Sequence, residues 1–313
     1  MRKSKSTEVQ PTAIGGQAVI EGVMMRGKKL YALAVRTPSK EIEIVKNDIH
    51  PLSEKYPILK LPILRGVIAF VESLVMGMKI TTLSVEMAGL DDVEEESSKF
   101  EIWLENKLGD KLNDVLITVS VIFALALSIG LFMLLPVWLS SFIRPVIGEN
   151  TWALGIIEGF VRIGIFIFYI FLISKLKDMQ RVFAYHGAEH KTINCFESKE
   201  ELTVENVRKH TRLHKRCGTS FLLIVMIVSM ITFMFVRTDI VWVRFAMRIV
   251  LVPLIAGVSY EIIRWAGRSN SALVPIISYP GMLMQKLTTL EPDDDQIEVA
   301  IAAMNGVLES EEV

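Results

Sequence analysis

Cysteine is scarce in this chain, with two among 313 residues. No disulfide framework can therefore hold the fold, and on a cytoplasmic loop both thiols would stay reduced and free to act as ligands. Net charge is nearly absent too: 34 Lys and Arg stand against 35 Asp and Glu, a balance that by itself points to no polyanionic partner. There is no internal repeat and no low-complexity linker. The first dozen residues are polar and basic with no apolar core behind them, so no cleavable signal peptide is expected and insertion would rely on internal spans. Gly15, Gly16, Gly22 and Gly27 do not form a G-x-G-x-x-G pattern, which gives nucleotide binding little support. They point instead to backbone that turns tightly or approaches something closely.

What the chain has in abundance is apolar surface: 51% hydrophobic residues and a mean hydropathy of +0.42. A bilayer-crossing helix needs roughly 20 mostly apolar residues. Four segments qualify, at about 115–138, 152–173, 219–236 and 240–262. Lys and Arg concentrate before Val115, in 175–217 and around Arg264 and Arg268. The positive-inside rule then predicts a multi-pass protein of the cell membrane with both termini and the His-rich loop in the cytoplasm. Residues 58–80 are interrupted by Arg65, Glu72 and two glycines and read better as an interfacial or re-entrant helix. The stretch 272–290, broken by Pro275, Pro280 and Gly281, reads the same way.

Outside the spans, Tyr31–Arg36 and Glu41–Lys46 alternate apolar and polar residues around Thr-Pro-Ser-Lys, predicting a β-hairpin. Residues 91–113 and 293–308 look like charged amphipathic helices, the second with Asp293, Asp294 and Asp295 favourably placed at its start. The fold class expected is an α-helical polytopic membrane protein, about four transmembrane helices, with a small cytoplasmic α/β region containing the hairpin. The expected organisation is 1–57 β-containing, 58–113 interfacial and amphipathic, 114–174 two spans, 175–218 a cytoplasmic loop, 219–263 two spans, and 264–313 interfacial and amphipathic.

That loop holds four of the five histidines and both cysteines. In Tyr185-His186-Gly187-Ala188-Glu189-His190-Lys191, His186 and His190 would share one helical face, and Glu197 would return to it. In the run His210 to Cys217, His210, His214 and Cys217 fall at i, i+4 and i+7, predicting a second helical stripe. Two short helices joined across 198–206 would bring two to four nitrogen and sulfur donors together, a set that suits tetrahedral zinc. His-x-x-Glu-His also matches the inverted zinc-protease motif, in which two His bind metal and the Glu is the base; the distant glutamate ligand of those proteases is not identifiable. Two other readings stay open, a surface for phosphate or lipid headgroups and no special role. Cys195 lies opposite His186 on the wheel and reads as packing.

Charges also fall inside the spans. Glu158 and Arg162 are one turn apart, as are Arg244 and Arg248. At 1.5 Å per residue they would sit about 5–15 Å deep, so a shared cluster is geometrically reasonable. Buried charge of this kind must be paired or line a polar cavity.

The stretches GGQAVIEGVMMRG (15–27), AYHGAEHKTIN (184–194), RCGTSFLLIVM (216–226) and PDDDQIEVAIAA (292–303) resemble the YqhQ-like bacterial membrane proteins, a domain of unknown function (1385) labelled a predicted metal-dependent enzyme. By motif the resemblance covers His186, Glu189, His190, His214 and Cys217, and omits His210. It favours His186, His190 and His214 as ligands of a divalent metal, zinc first, with Cys217 a possible fourth. The expectation is a metal-dependent hydrolase at the cytoplasmic membrane surface, with Glu189 as general base and lipid headgroups or membrane-protein segments as substrates. The alternative is a non-enzymatic scaffold or biogenesis factor whose basic loop 175–217 docks an anionic partner, the ribosome or acidic lipid. Ten Lys and Arg against six acids in that loop speak for the alternative.

Overall fold

The computed structural model describes residues 12, 14–90, 112–147, 151–214, 217–236, 238, 240–266, 269, 271 and 273–311. The amphipathic helix expected at 91–113 lies outside them up to residue 111. Strands β1 (Gly15–Val19), β2 (Gly22–Arg26), β3 (Leu30–Arg36) and β4 (Ile42–Asp48) form an antiparallel meander in that order. The β3–β4 pair is the expected hairpin. Its loop closes through Thr37 N–H to the Glu41 carbonyl and Lys40 N–H to the Thr37 carbonyl, both 2.9 Å.

Two-residue alternation puts two apolar faces on β3, and both are covered. Ala32 and Ala34 pack with Val23 and Met25 against Tyr185, Ala188, Ile297 and Met304. Tyr31, Leu33 and Val35 face the other way, onto Ile80 and Ala88. The sheet is thus the middle layer of a cap. On one side lie α5 (Lys177–Glu197) and a C-terminal helix (Asp294–Glu311); on the other lies the second half of α1 (Leu64–Met87). The C-terminal helix begins as its acidic start predicts: Asp293 Oδ1 accepts the Gln296 N–H at 2.8 Å and Gln296 Oε1 accepts that of Asp293 at 3.1 Å, a reciprocal cap.

Among the described residues, the remaining α-helices of more than four residues are α2 (Leu112–Ile129), α3 (Leu135–Ser141), α4 (Thr151–Ile173), α6 (Val204–Lys209), α7 (Gly218–Met234), α8 (Val241–Ala266) and α9 (Leu273–Thr288), with the C-terminal helix as α10. Among the same residues, four stretches are long and apolar enough to cross a membrane: Leu64–Met87, Thr118–Ser141, Trp152–Ile173 and Trp242–Ala266. The number expected is four, but the membership differs. The segment expected at 219–236 is the 17-residue helix α7, about 25 Å long. The segment 58–80, expected to lie in the interface or re-enter, belongs to the continuous 24-residue helix α1. Its interrupting residues are satisfied where they stand. Arg65 pairs with Glu261 of α8, and Glu72 Oε1 accepts the Leu52 N–H at 2.7 Å. A side chain at Gly66 would meet Tyr260 Cβ at 2.8 Å, so the glycine permits a close helix crossing. Within the stretch 272–290, Leu273–Thr288 likewise forms one helix, α9, with Pro280 inside it.

Of the four expected intramembrane charges, three meet. Glu158 accepts from Arg162 at 2.6 Å and from Arg248 at 2.7 Å, and both guanidinium groups lie 5.1 Å from the centre of the Phe233 ring. Arg162 Nε also donates to the Phe132 carbonyl at 2.9 Å. Phe132 sits in a π-helical turn, Gly130–Leu134, where the regular i to i−4 ladder is broken. Arg244 turns away, donating to the Thr238 carbonyl at 2.6 Å. Glu158→Ala leaves two buried guanidinium groups uncompensated. It is expected to cost about 3–5 kcal/mol and to lower the thermal unfolding midpoint of the detergent-purified protein sharply. Arg244→Gln, outside the cluster, should leave that midpoint within a few degrees.

Candidate metal site

The histidine helix α5 is buried along most of its length, which is unusual for a segment of such polarity. Its burial depends on Gly187. A Cβ there would lie 2.0 Å from the Leu290 carbonyl oxygen, so only glycine lets the chain after α9 cross the helix at this level. The crossing is fixed by the Leu290 N–H, which donates to the Phe183 carbonyl at 2.8 Å. It also places the Thr288 carbonyl 2.8 Å from His186 Nδ1.

A carbonyl can only accept, so His186 carries its proton on Nδ1 and turns Nε2 the other way. Nε2 lies 3.2 Å from Cys217 Sγ. His190, one turn on, repeats the arrangement, with Nδ1 2.6 Å from the Arg212 carbonyl. The two rings are 4.4 Å apart. One donor atom from each of His186, His190 and Cys217 lies within 4.8 Å of the others. Burial holds the His190 pKa below the ordinary imidazole value, so this ring is neutral.

The second expected stripe is not a helix. Residues 210–214 are irregular between the end of α6 and Cys217, which caps α7. The physical reason is that their carbonyls are taken by side chains of α5. Arg212 serves His190, while Thr211 and Leu213 accept from Asn194 Nδ2 at 2.7 and 3.2 Å. His214 is therefore offset from the other three. Its ring centre is 5.7 Å from that of His190, and its Nε2 is 3.5 Å from Glu197 Oε2. Its backbone is clasped by Gln285, which accepts the His214 N–H at 2.8 Å and donates to its carbonyl at 2.7 Å. His210 lies elsewhere, 3.4 Å from Glu200. Cys195 is fully buried in the cap core.

Glu189 points to the sheet side of α5. Its carboxyl group presses on Gly16, where a Cβ would come within 2.7 Å of it, and it accepts the Gly16 backbone N–H. Burial raises its pKa, while His186 and His214 oppose that rise. Two contributors escape a reading of the sequence. Gln285 and the Thr288 carbonyl come from α9, and the only hint of them is a polar face, Gln285, Thr288 and Thr289, on an otherwise apolar helix. Gly16 had a signal, the paired glycines.

The two thiols should behave differently. Burial pushes the Cys195 thiol from 9.0 up to about 11, whereas Cys217 lines a cavity. In folded protein first stripped of metal by a chelator, iodoacetamide at pH 8 is expected to modify Cys217 and to spare Cys195 until denaturant is added, as read by peptide mass. Because the folded value lies above the unfolded one, the stabilisation from burying neutral Cys195 is complete below about pH 9. It disappears as the pH rises toward 11. Cys195→Ala should therefore flatten the fall in unfolding temperature across that window.

Comparison with known proteins gives a family and names no activity. Residues 61–310 match the family model described as protein of unknown function (DUF1385). The chain is 37% identical over 302 residues to the uncharacterized protein YqhQ of Bacillus subtilis (strain 168), covering 96% of this chain and 94% of that relative. No solved structure matches. The chain belongs to the DUF1385 family.

Proposed function

We propose that this protein is a membrane-embedded, metal-dependent hydrolase whose site lies at the cytoplasmic membrane surface, with both termini on that side. One observation carries the reading. Two neighbouring imidazoles each have Nδ1 anchored on a backbone carbonyl, which leaves both Nε2 atoms as acceptors beside a cysteine sulfur. Outer hydrogen bonds of this kind orient metal-ligating histidines in known sites. The donor set, two nitrogens and one sulfur, suits zinc. His186, His190 and Cys217 would hold the ion, and His214 would join after a modest movement of its ring away from Glu197. A divalent ion held by three protein ligands supplies Lewis acidity and lowers the pKa of a water toward about 7.

The chain's own groups divide the remaining work. Glu189, kept basic by burial and positioned by the Gly16 N–H, would take a proton from the attacking water. Glu197 would orient His214. Cys195 and His210, grouped with Glu200, take no part.

The scaffold reading loses some support because five of the ten basic residues in 175–217 already have partners. Arg181 pairs with Glu21, Arg208 with Asp294 and Lys209 with Glu205, each basic side chain being exposed. Lys191 is buried against Glu291, and Arg212 donates to the Thr289 carbonyl. The buried Lys191 is not free to collect a phosphate group, whereas the exposed pairs are weak.

Elemental analysis of protein prepared without chelators tests the reading. Wild type is expected to carry about one zinc per chain. His186→Ala, His190→Ala and Cys217→Ala should lose it, whereas Glu189→Gln should retain it. Gly187→Ala displaces the Thr288 carbonyl and should weaken zinc affinity about 10–100-fold. Metal-free wild type would overturn the proposal.

A further inference from the structure

Two cavities share Gln17, Ser73 and Gly218 in their walls, and the larger reaches Cys217 of the triad His186, His190 and Cys217. The smaller, about 450 Å³, lies at the sheet end and is walled by the backbone of Gly15, Gly16 and Gly27 and by Arg26. Arg26 is half-buried; its backbone pairs within the sheet, and its side chain is in no hydrogen bond or ion pair among the described residues. The larger, about 880 Å³, runs along α1 between Leu74 and Met78 on one side and Phe221 and Tyr260 on the other, and it reaches Cys217. Its α1 wall belongs to a helix that is apolar enough to cross a membrane and exposes Val71, Leu74, Val75 and Met78.

The space therefore has one cationic, glycine-lined end and one long apolar end, with the metal-ligating cysteine beside their junction. The cationic end also adjoins the first turn of α7, a 17-residue helix starting at Gly218, whose N-terminal dipole favours an anion. We infer that this composite cavity binds a single anionic glycerophospholipid from the bilayer. Its phosphate sits against Arg26 and the start of α7, and an acyl chain lies along α1. A peptide segment fits less well. The larger cavity is mostly apolar, so a backbone laid in it would leave N–H and C=O groups unpaired at a cost of several kcal/mol each. An acyl chain carries no such groups. Each of the two volumes falls within the range of about 300–1,000 Å³ typical of ligand sites.

Placing a bond of this lipid for cleavage rests on the hydrolase reading; the binding itself does not. Full-length protein would be reconstituted in equimolar phosphatidylglycerol and phosphatidylcholine, extracted in mild detergent, and examined by native mass spectrometry, with zinc measured on the same samples. Wild type is expected to retain one phosphatidylglycerol per chain in at least tenfold preference to phosphatidylcholine. Arg26→Gln should lose the preference while still retaining lipid. Ser73→Trp, on an exposed helix face where the junction would be filled, should retain none. Both variants should keep wild-type zinc and melting temperature. Cys217→Ala should lose zinc and keep the lipid.

Equal retention of both lipids by wild type, or wild-type retention in Arg26→Gln or Ser73→Trp, overturns the lipid assignment whatever the metal result. Displacement of the lipid by millimolar glycerol phosphate would also overturn it, by showing a small-anion site without a role for the acyl chain. Retained lipid on metal-free wild type would leave this assignment standing and remove the hydrolase reading.

Discussion

Burying imidazole rings inside a helical cap is unfavourable unless each ring nitrogen has a partner, and the architecture around α5 follows from that constraint. His186 and His190 face inward, so something must accept from their Nδ1 atoms. Two carbonyls do so, Thr288 at the end of α9 and Arg212 in the irregular run before α7. Neither belongs to a segment adjacent in sequence to α5. Gly187 makes the first possible by admitting the backbone of Leu290. The second requires 210–214 to give up helical hydrogen bonding. The same forces that hold the rings also set their tautomers, so packing and coordination chemistry are one problem here.

How much of this was legible follows from which interactions are local. The spans at 115–138, 152–173 and 240–262, the β3–β4 hairpin, the C-terminal helix and the shared face of His186 and His190 are all periodic or turn-encoded, and the structure has them. The stripe from His210 to Cys217 failed because spacing says nothing about competition for carbonyls, and Asn194 and His190 claim those of 211–213. Residues 58–80, interrupted by Arg65, Glu72 and two glycines, read as an interfacial or re-entrant helix and not as a span-length one. Their polar residues have distant partners, Glu261 and Leu52, which no window of local sequence contains. The long-range pieces of the site were invisible for the same reason: Gln285 and Thr288 are about 70 to 100 residues from the histidines they hold.

The buried charges of the helical bundle obey a parallel logic at a different place. Glu158 gathers Arg162 and Arg248, and Arg162 spends its remaining donor on a carbonyl released by the π-helical turn at Phe132. An ion cluster of this kind is poor evidence for catalysis, because it leaves little charge uncommitted. That is the contrast with Arg26. Among the described residues the Arg26 side chain is in none of the ion pairs, and it lines a cavity with Ser73 and Gly218 where the cap meets the apolar helices.

Helix α1 ties the two halves together. Its second half forms a wall of the cap core through Ile80 and Ala88 just beyond its end, while its first half crosses α8 at Gly66. On the proposed reading, a helix shared by the cap and the apolar bundle would fix the height of the site relative to the bilayer. His186, His190 and Cys217 would then be held near the surface at which polar headgroups give way to hydrocarbon. A hydrolase with its site at that height would meet molecules that are themselves divided into a charged end and an apolar end. A site on a freely tethered cap would have to find such molecules by excursion; one built onto α1 would already be at their depth.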